Sequence, residues 1–186
     1  NEPAACKSLM ESTSFTKESE RDFIGGQLGP TLRRDHPDVK LLAFDHNKDH
    51  VATWASAILG KGASSASFTD GVAFHWRARA ALTASPVRTE GAWGHAPSSR
   101  GRYASHDYFG HLQAVHDAFP DALLLATEAT EAKDEGHYLH NQSWAKGEHY
   151  GHVILGDINH WAQGWIDWNV LLDREGGPTH PGPKEC

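Results

Sequence analysis

Along the chain, apolar runs rich in β-formers alternate with stretches of helical period. Four such runs, over 39–45, 71–76, 122–128 and 164–169, each close on polar residues. Between them the apolar positions recur at three and four residues, and this alternation predicts repeated β-α units on a parallel sheet. A first helix is expected from Lys17 to about Leu28, with Thr16 as N-cap and Gly29-Pro30 as its stop. A second places Val51, Trp54, Ala55, Ile58 and Leu59 on one face and ends at Gly60. Ser105 can cap a third, whose Tyr108, Leu112, Val115 and Phe119 face the sheet before Pro120 breaks the pattern. A fourth, from about Glu148 to Trp161, buries Tyr150, Val153, Ile154, Trp161 and either Asp157 or Ile158, with Asp157 the discordant member. A further strand ending at Asn1-Glu2 would make five strands with four linking helices.

Two stretches break the pattern. From Arg77 to Tyr103, Ala, Ser, Gly, Pro and Arg dominate, as in a long loop or disordered insertion. Gly176-Gly177-Pro178 and the Pro/Gly-rich residues after it should be coil.

Composition narrows the class. With 186 residues, 39% hydrophobic and 22% charged, the chain reads as a soluble globular protein, and it contains no apolar stretch near the roughly 20 residues of a membrane span. A net charge of −7 argues against a nucleic-acid partner. The two cysteines are too few for a disulfide scaffold, and the opening residues lack the basic-then-apolar pattern of a signal peptide. Fourteen histidines raise the question of a metal. His137/His140 and His149/His152 stand at i, i+3, but no His-Glu-x-x-His motif or cysteine pair accompanies them, so no metal and no organic cofactor is expected. Asp45-His46 lacks the Gly-x-Ser-x-Gly elbow that would present a serine nucleophile, and no phosphate-binding glycine loop is present.

If alternating β-α units close into a (β/α)8 barrel, chemistry belongs at the carboxyl ends of the strands. The polar residues closing the apolar runs are then Asn1, Glu2, Asp45, His46, His75, Trp76, Glu128, Asp167, Trp168 and Asn169. They include two strand-end glutamates for acid/base and nucleophilic work on a glycosidic bond, hydrogen-bonding groups for hydroxyls, and indoles able to stack on a pyranose.

Eight segments in order carry a resemblance: Asn1-Glu2-Pro3, Arg21-Asp22-Phe23-Ile24, Leu28-Gly29-Pro30-Thr31-Leu32, Leu41-Leu42-Ala43-Phe44-Asp45, Phe74-His75-Trp76, Ala126-Thr127-Glu128-Ala129, Gly164-Trp165-Ile166-Asp167-Trp168-Asn169 and Glu175-Gly176-Gly177-Pro178. Together they resemble the second half of glycoside hydrolase family 30, the family of the glucosylceramidases. The resemblance implies an α/β fold, a partial TIM (β/α)8 barrel comprising strands four to eight. Residues 1–180 would form the C-terminal portion of the catalytic domain, interrupted by a loop at about 77–103, with 181–186 as a tail. It implies a retaining β-glycosidase, most simply one cleaving glucosylceramide to glucose and ceramide. Glu2 would be the acid/base, Glu128 the nucleophile, and Asn1 the partner of the sugar 2-hydroxyl. Asp45, His75, Trp76, Trp168 and Asn169 would line the substrate pocket. The partner would be a glycolipid or β-glucoside met at a membrane surface, in a lysosomal or secreted setting. Other family activities, a β-1,6-glucanase or a β-xylosidase, and a non-catalytic fragment remain the alternatives. Arg77 departs from the aromatic residue usual after His-Trp, and 77–103 has no clear family counterpart. A complete barrel takes about 250 residues, so the chain by itself is expected to turn over little or no substrate.

Overall fold

The computed structural model describes residues 13–76, 107–129 and 143–168. Helix α1, Lys17–Phe23, starts on a capping box: the Thr16 hydroxyl accepts from the Ser19 N–H, and the Ser19 hydroxyl accepts from the Thr16 N–H. The expected stop at Gly29-Pro30 does not occur. A π-helical turn, Ile24–Leu28, follows directly and passes into α2, Gly29–Asp35. The i→i+5 pattern shifts the bonding so that Pro30, which has no N–H to give, falls in the first turn of α2, where a missing donor costs nothing.

The sheet comprises β1 (Leu42–Asn47), β2 (Gly71–His75), β3 (Leu123–Glu128) and β4 (Gly164–Trp165), all parallel, paired in chain order β1-β2-β3-β4. β1 thus begins three residues later than the apolar run suggests. Val39 is half exposed, and its carbonyl accepts from the Arg33 guanidinium rather than from a strand. β4 is shorter than the expected 164–169, although backbone bonds from Ile166 to Ala126 and from Trp168 to Ala129 carry its path along β3. The strand expected to end at Asn1-Glu2 lies outside the described residues.

The linking helices are α3 (Val51–Leu59), entered through a 3-10 turn at Lys48–His50, α4 (Phe109–Ala118) and α5 (Ser143–Asn159). Ser105 lies outside the described residues, and α4 is entered through Tyr108, itself in the left-handed region at φ 48°. The face of α3 matches its pattern: Val51, Ala55 and Ile58 are buried. With Phe44, Val72, Phe74, Leu112, Val115, Leu124 and Ala126, Val51 and Ala55 build the layer between sheet and helices. Gly71 is required where it stands, because a Cβ there would run into the Leu123 backbone of the neighbouring strand.

In α5 the doubtful position resolves as Asp157 facing inward, whereas Ile158 and Trp161 are half exposed, contrary to the expected stripe. The reason is Lys48, whose Nζ meets Asp157 Oδ1 at 2.5 Å with both side chains fully buried. The ammonium also lies 4.7 Å from the centre of the Phe109 ring. Burial pulls the pKa of Lys48 down and pushes that of Asp157 up, each toward its neutral form, while their mutual attraction opposes both.

Candidate active site

The carboxyl ends of β1, β2 and β3 bring Asp45, His75, Thr127 and Glu128 together. Two bulges aim them. The β1–β2 register slips between Phe44 and His46, where Phe44 and Asp45 adopt φ of 82° and 49°, and the β2–β3 register slips between Phe74 and His75. Bulges at a strand end re-aim side chains that a regular pleat would send elsewhere. As a result His75 pairs across the ladder with Glu128, and the Trp76 N–H donates to the Glu128 carbonyl at 3.0 Å, holding the end of β3.

His75 lies between two carboxylates. Its Nε2 is 3.3 Å from Asp45 Oδ1 and its Nδ1 is 3.8 Å from Glu128 Oε1, the second being an electrostatic rather than a hydrogen-bonding distance. The Thr127 hydroxyl donates to Asp45 Oδ1 at 2.6 Å. The hydrogen bond from His75, followed by that from Thr127, holds Asp45 at about 2 against the opposing effect of burial, so Asp45 is an anion throughout the ordinary pH range. The His75 side chain is 6% exposed and that of Glu128 30%. The imidazole is therefore held inside while the glutamate reaches solvent. His46, itself buried, packs edge-on to His75, with ring centres 6.1 Å apart.

Trp76 is buried, stacked on Tyr150 at 5.1 Å and against His149 at 4.9 Å, both carried by α5. Its indole supports the end of the sheet from the helix side. Trp168, beyond β4, remains 39% exposed, with Asp167 and Tyr150 in contact beside it at 3.5 Å. Of the residues expected to form the site, Asp45, His75 and Glu128 are brought together, with Trp76 next to His75 in the chain and Trp168 three residues past the end of β4. Asn1, Glu2 and Asn169 lie outside the described residues, as does the separation between the two glutamates. Thr127, His149 and Tyr150 were not singled out as site residues by the sequence, although Thr127 directly precedes the strand-end glutamate. Among the described residues no group of three or more His, Cys, Asp or Glu side chains is placed to hold a metal ion, and no helix is long and apolar enough to cross a membrane.

Parallel strands paired in chain order, with polar groups gathered at their carboxyl edge, define a segment of a (β/α)8 barrel enzyme rather than a doubly wound sheet, whose order reverses at a switch point. Residues 1–91 and 99–181 match the glycosyl hydrolase family 30 TIM-barrel domain. The chain belongs to glycosyl hydrolase family 30. It is 31% identical to the lysosomal acid glucosylceramidase of Mus musculus over 91% of the chain and 28% of that protein. It is 25% identical to an endo-1,6-β-D-glucanase of Neurospora crassa over its whole length and 31% of that protein. The fold superposes on the crystal structure of SrfJ from Salmonella typhimurium with a TM-score of 0.72 at 27% identity, covering 98% of this chain and 34% of that one. The chain thus spans about three tenths of the length of the curated relatives it matches.

Proposed function

We propose that the protein bearing this chain is a retaining β-glycosidase whose nucleophile is Glu128, acting on glucosylceramide. The observation that carries the reading is the grouping of Glu128, His75 and Asp45 at the carboxyl ends of three adjacent strands. In the double displacement, the Glu128 carboxylate attacks the anomeric carbon while Glu2 protonates the departing oxygen. Water then cleaves the glycosyl ester with Glu2 acting as base. Asn1 holds the 2-hydroxyl, and Trp168 and Asn169 extend the sugar-binding wall. Asp45, ionised and bonded to His75 and Thr127, fixes the imidazole beside the nucleophile. Trp76 braces that arrangement from behind. The mouse relative's name supports the glucosylceramide reading and a lysosomal setting.

A β-1,6-glucan is the second reading, favoured by the Neurospora relative. The test is mass spectrometry of the longer polypeptide carrying this chain after incubation with a cyclophellitol-type inactivator. An adduct of one inactivator per chain, mapped to Glu128 and lost in Glu128→Gln, supports the assignment; labelling elsewhere refutes it. Initial rates on glucosylceramide in anionic detergent and on β-1,6-glucan then separate the two substrates.

A further inference from the structure

Among the described residues, the Phe44–Asp45 bulge takes a support that comes from outside the sheet. Two consecutive residues with side chains sit at φ of 82° and 49°, in the left-handed region that L side chains adopt only at a cost. Such geometry persists only where its surroundings over-determine it. The Phe44 N–H is donated not to a strand neighbour but to Glu20 Oε1, at 2.9 Å. The other oxygen of the same carboxylate accepts from the Trp54 indole N–H at 2.5 Å, and the Trp54 ring packs 5.3 Å from that of Phe44. One carboxylate in the first turn of α1 therefore ties together α1, the bulge and α3. Its own placement is set by the Thr16–Ser19 capping box one residue earlier.

We propose that Glu20, on the helical side of the sheet, is a positioning residue for the candidate site, holding the bulge that delivers Asp45 to His75 and Thr127. The proposal rests on the reading of these strand-end groups as a glycosidase site, but its geometry can be tested without turnover. Without the carboxylate, the Phe44 N–H loses its acceptor in a partly buried place, and the left-handed pair loses its compensation. Strand β1 can then regularise. A one-residue change of phase sends alternate side chains to the opposite face, so Asp45 would leave His75 and Thr127.

The experiment follows the Asp45 carboxyl carbon by NMR through an acid titration of the whole chain, in wild type, Glu20→Ala and Trp54→Phe. Wild-type Asp45, titrating at about 2, should remain ionised at about pH 3. In Glu20→Ala the midpoint should climb by at least about one unit, a tenfold change in the protonation equilibrium, toward the ordinary 3.8. Trp54→Phe removes the second tie to Glu20 but spares the Phe44 bond, and should leave Asp45 near its wild-type midpoint. A folded Glu20→Ala protein whose Asp45 is still ionised at that pH overturns the proposal. Should Glu20→Ala fail to fold, Glu20→Gln decides by hydrogen exchange. A neutral acceptor is weaker than a carboxylate, so the Phe44 amide should exchange about tenfold faster relative to Ala43, and an unchanged ratio overturns the proposal. If the longer polypeptide carrying this chain shows no glycosidase turnover, the functional reading fails while the Asp45 result stands.

Discussion

Replacing Asp157 by leucine removes the only carboxylate bonded to Lys48 among the described residues and leaves an ammonium with no solvent exposure. Breaking a buried pair from one side typically costs about 3–5 kcal/mol, because the surviving ion remains desolvated. Lys48→Met should cost a similar amount by stranding Asp157, whose Oδ2 already has no hydrogen-bond donor among the described residues. Summed independently, the two changes predict a loss of about 6–10 kcal/mol. The double variant removes both charges and keeps apolar volume beneath Phe109 and Phe74, so it should fall within about 2 kcal/mol of wild type. Urea unfolding of the four proteins measures the difference as a coupling energy. The pH dependence supplies an independent check. In Asp157→Leu, burial without a counter-charge lowers the Lys48 pKa further, so the folded state binds fewer protons than the unfolded chain. Stability must then rise as pH increases from the folded pKa of Lys48 toward its ordinary 10.5. Additive single-variant costs, or an Asp157→Leu stability that falls over that range relative to the double variant, would refute the reasoning.

Gly71→Ala drives a methyl group into the Leu123 backbone, which cannot give as a side chain could, and should cost about 3 kcal/mol or more by chemical denaturation. Gly110→Ala, inside α4 with open space around it, should instead stabilise by about 0.5–1 kcal/mol. Because its folded pKa is depressed to about 2, Asp45 contributes stability that is present above the ordinary 3.8 and lost as pH falls through that lower value. Acid unfolding curves should therefore show a steeper loss for wild type than for Asp45→Asn between about pH 4 and pH 2; parallel curves would mean that the His75 and Thr127 bonds do not survive in solution.

The elements most legible from sequence are those whose burial is periodic. Val51, Ala55 and Ile58 follow from spacing alone, and the strands follow from apolar runs closed by polar residues, which also marked Asp45, His75 and Glu128. Local rules mislead where one of them meets a stronger constraint. Gly29-Pro30 reads as a helix stop because a proline usually ends the bonding pattern, but a single π turn shifts that pattern by one residue. Asp157 reads as an intruder in an apolar stripe because its partner stands 109 residues away. Glu20 and Thr127 are silent in the sequence for the same reason, since their importance lies in bonds across the fold that no local window contains.

That same separation gives the Lys48–Asp157 contact a place in time. Pairing in chain order lets each strand add to a template formed by the strand before it, so the early contacts join neighbouring β-α units. If the units assemble in that order, the ion pair forms only once α5 docks beside Phe109, late in the progression. Interactions formed after the rate-limiting step alter how fast the native state opens more than how fast it assembles. The buried pair thus acts as a closing latch, and its loss would be felt in the lifetime of the folded protein rather than in the speed of reaching it.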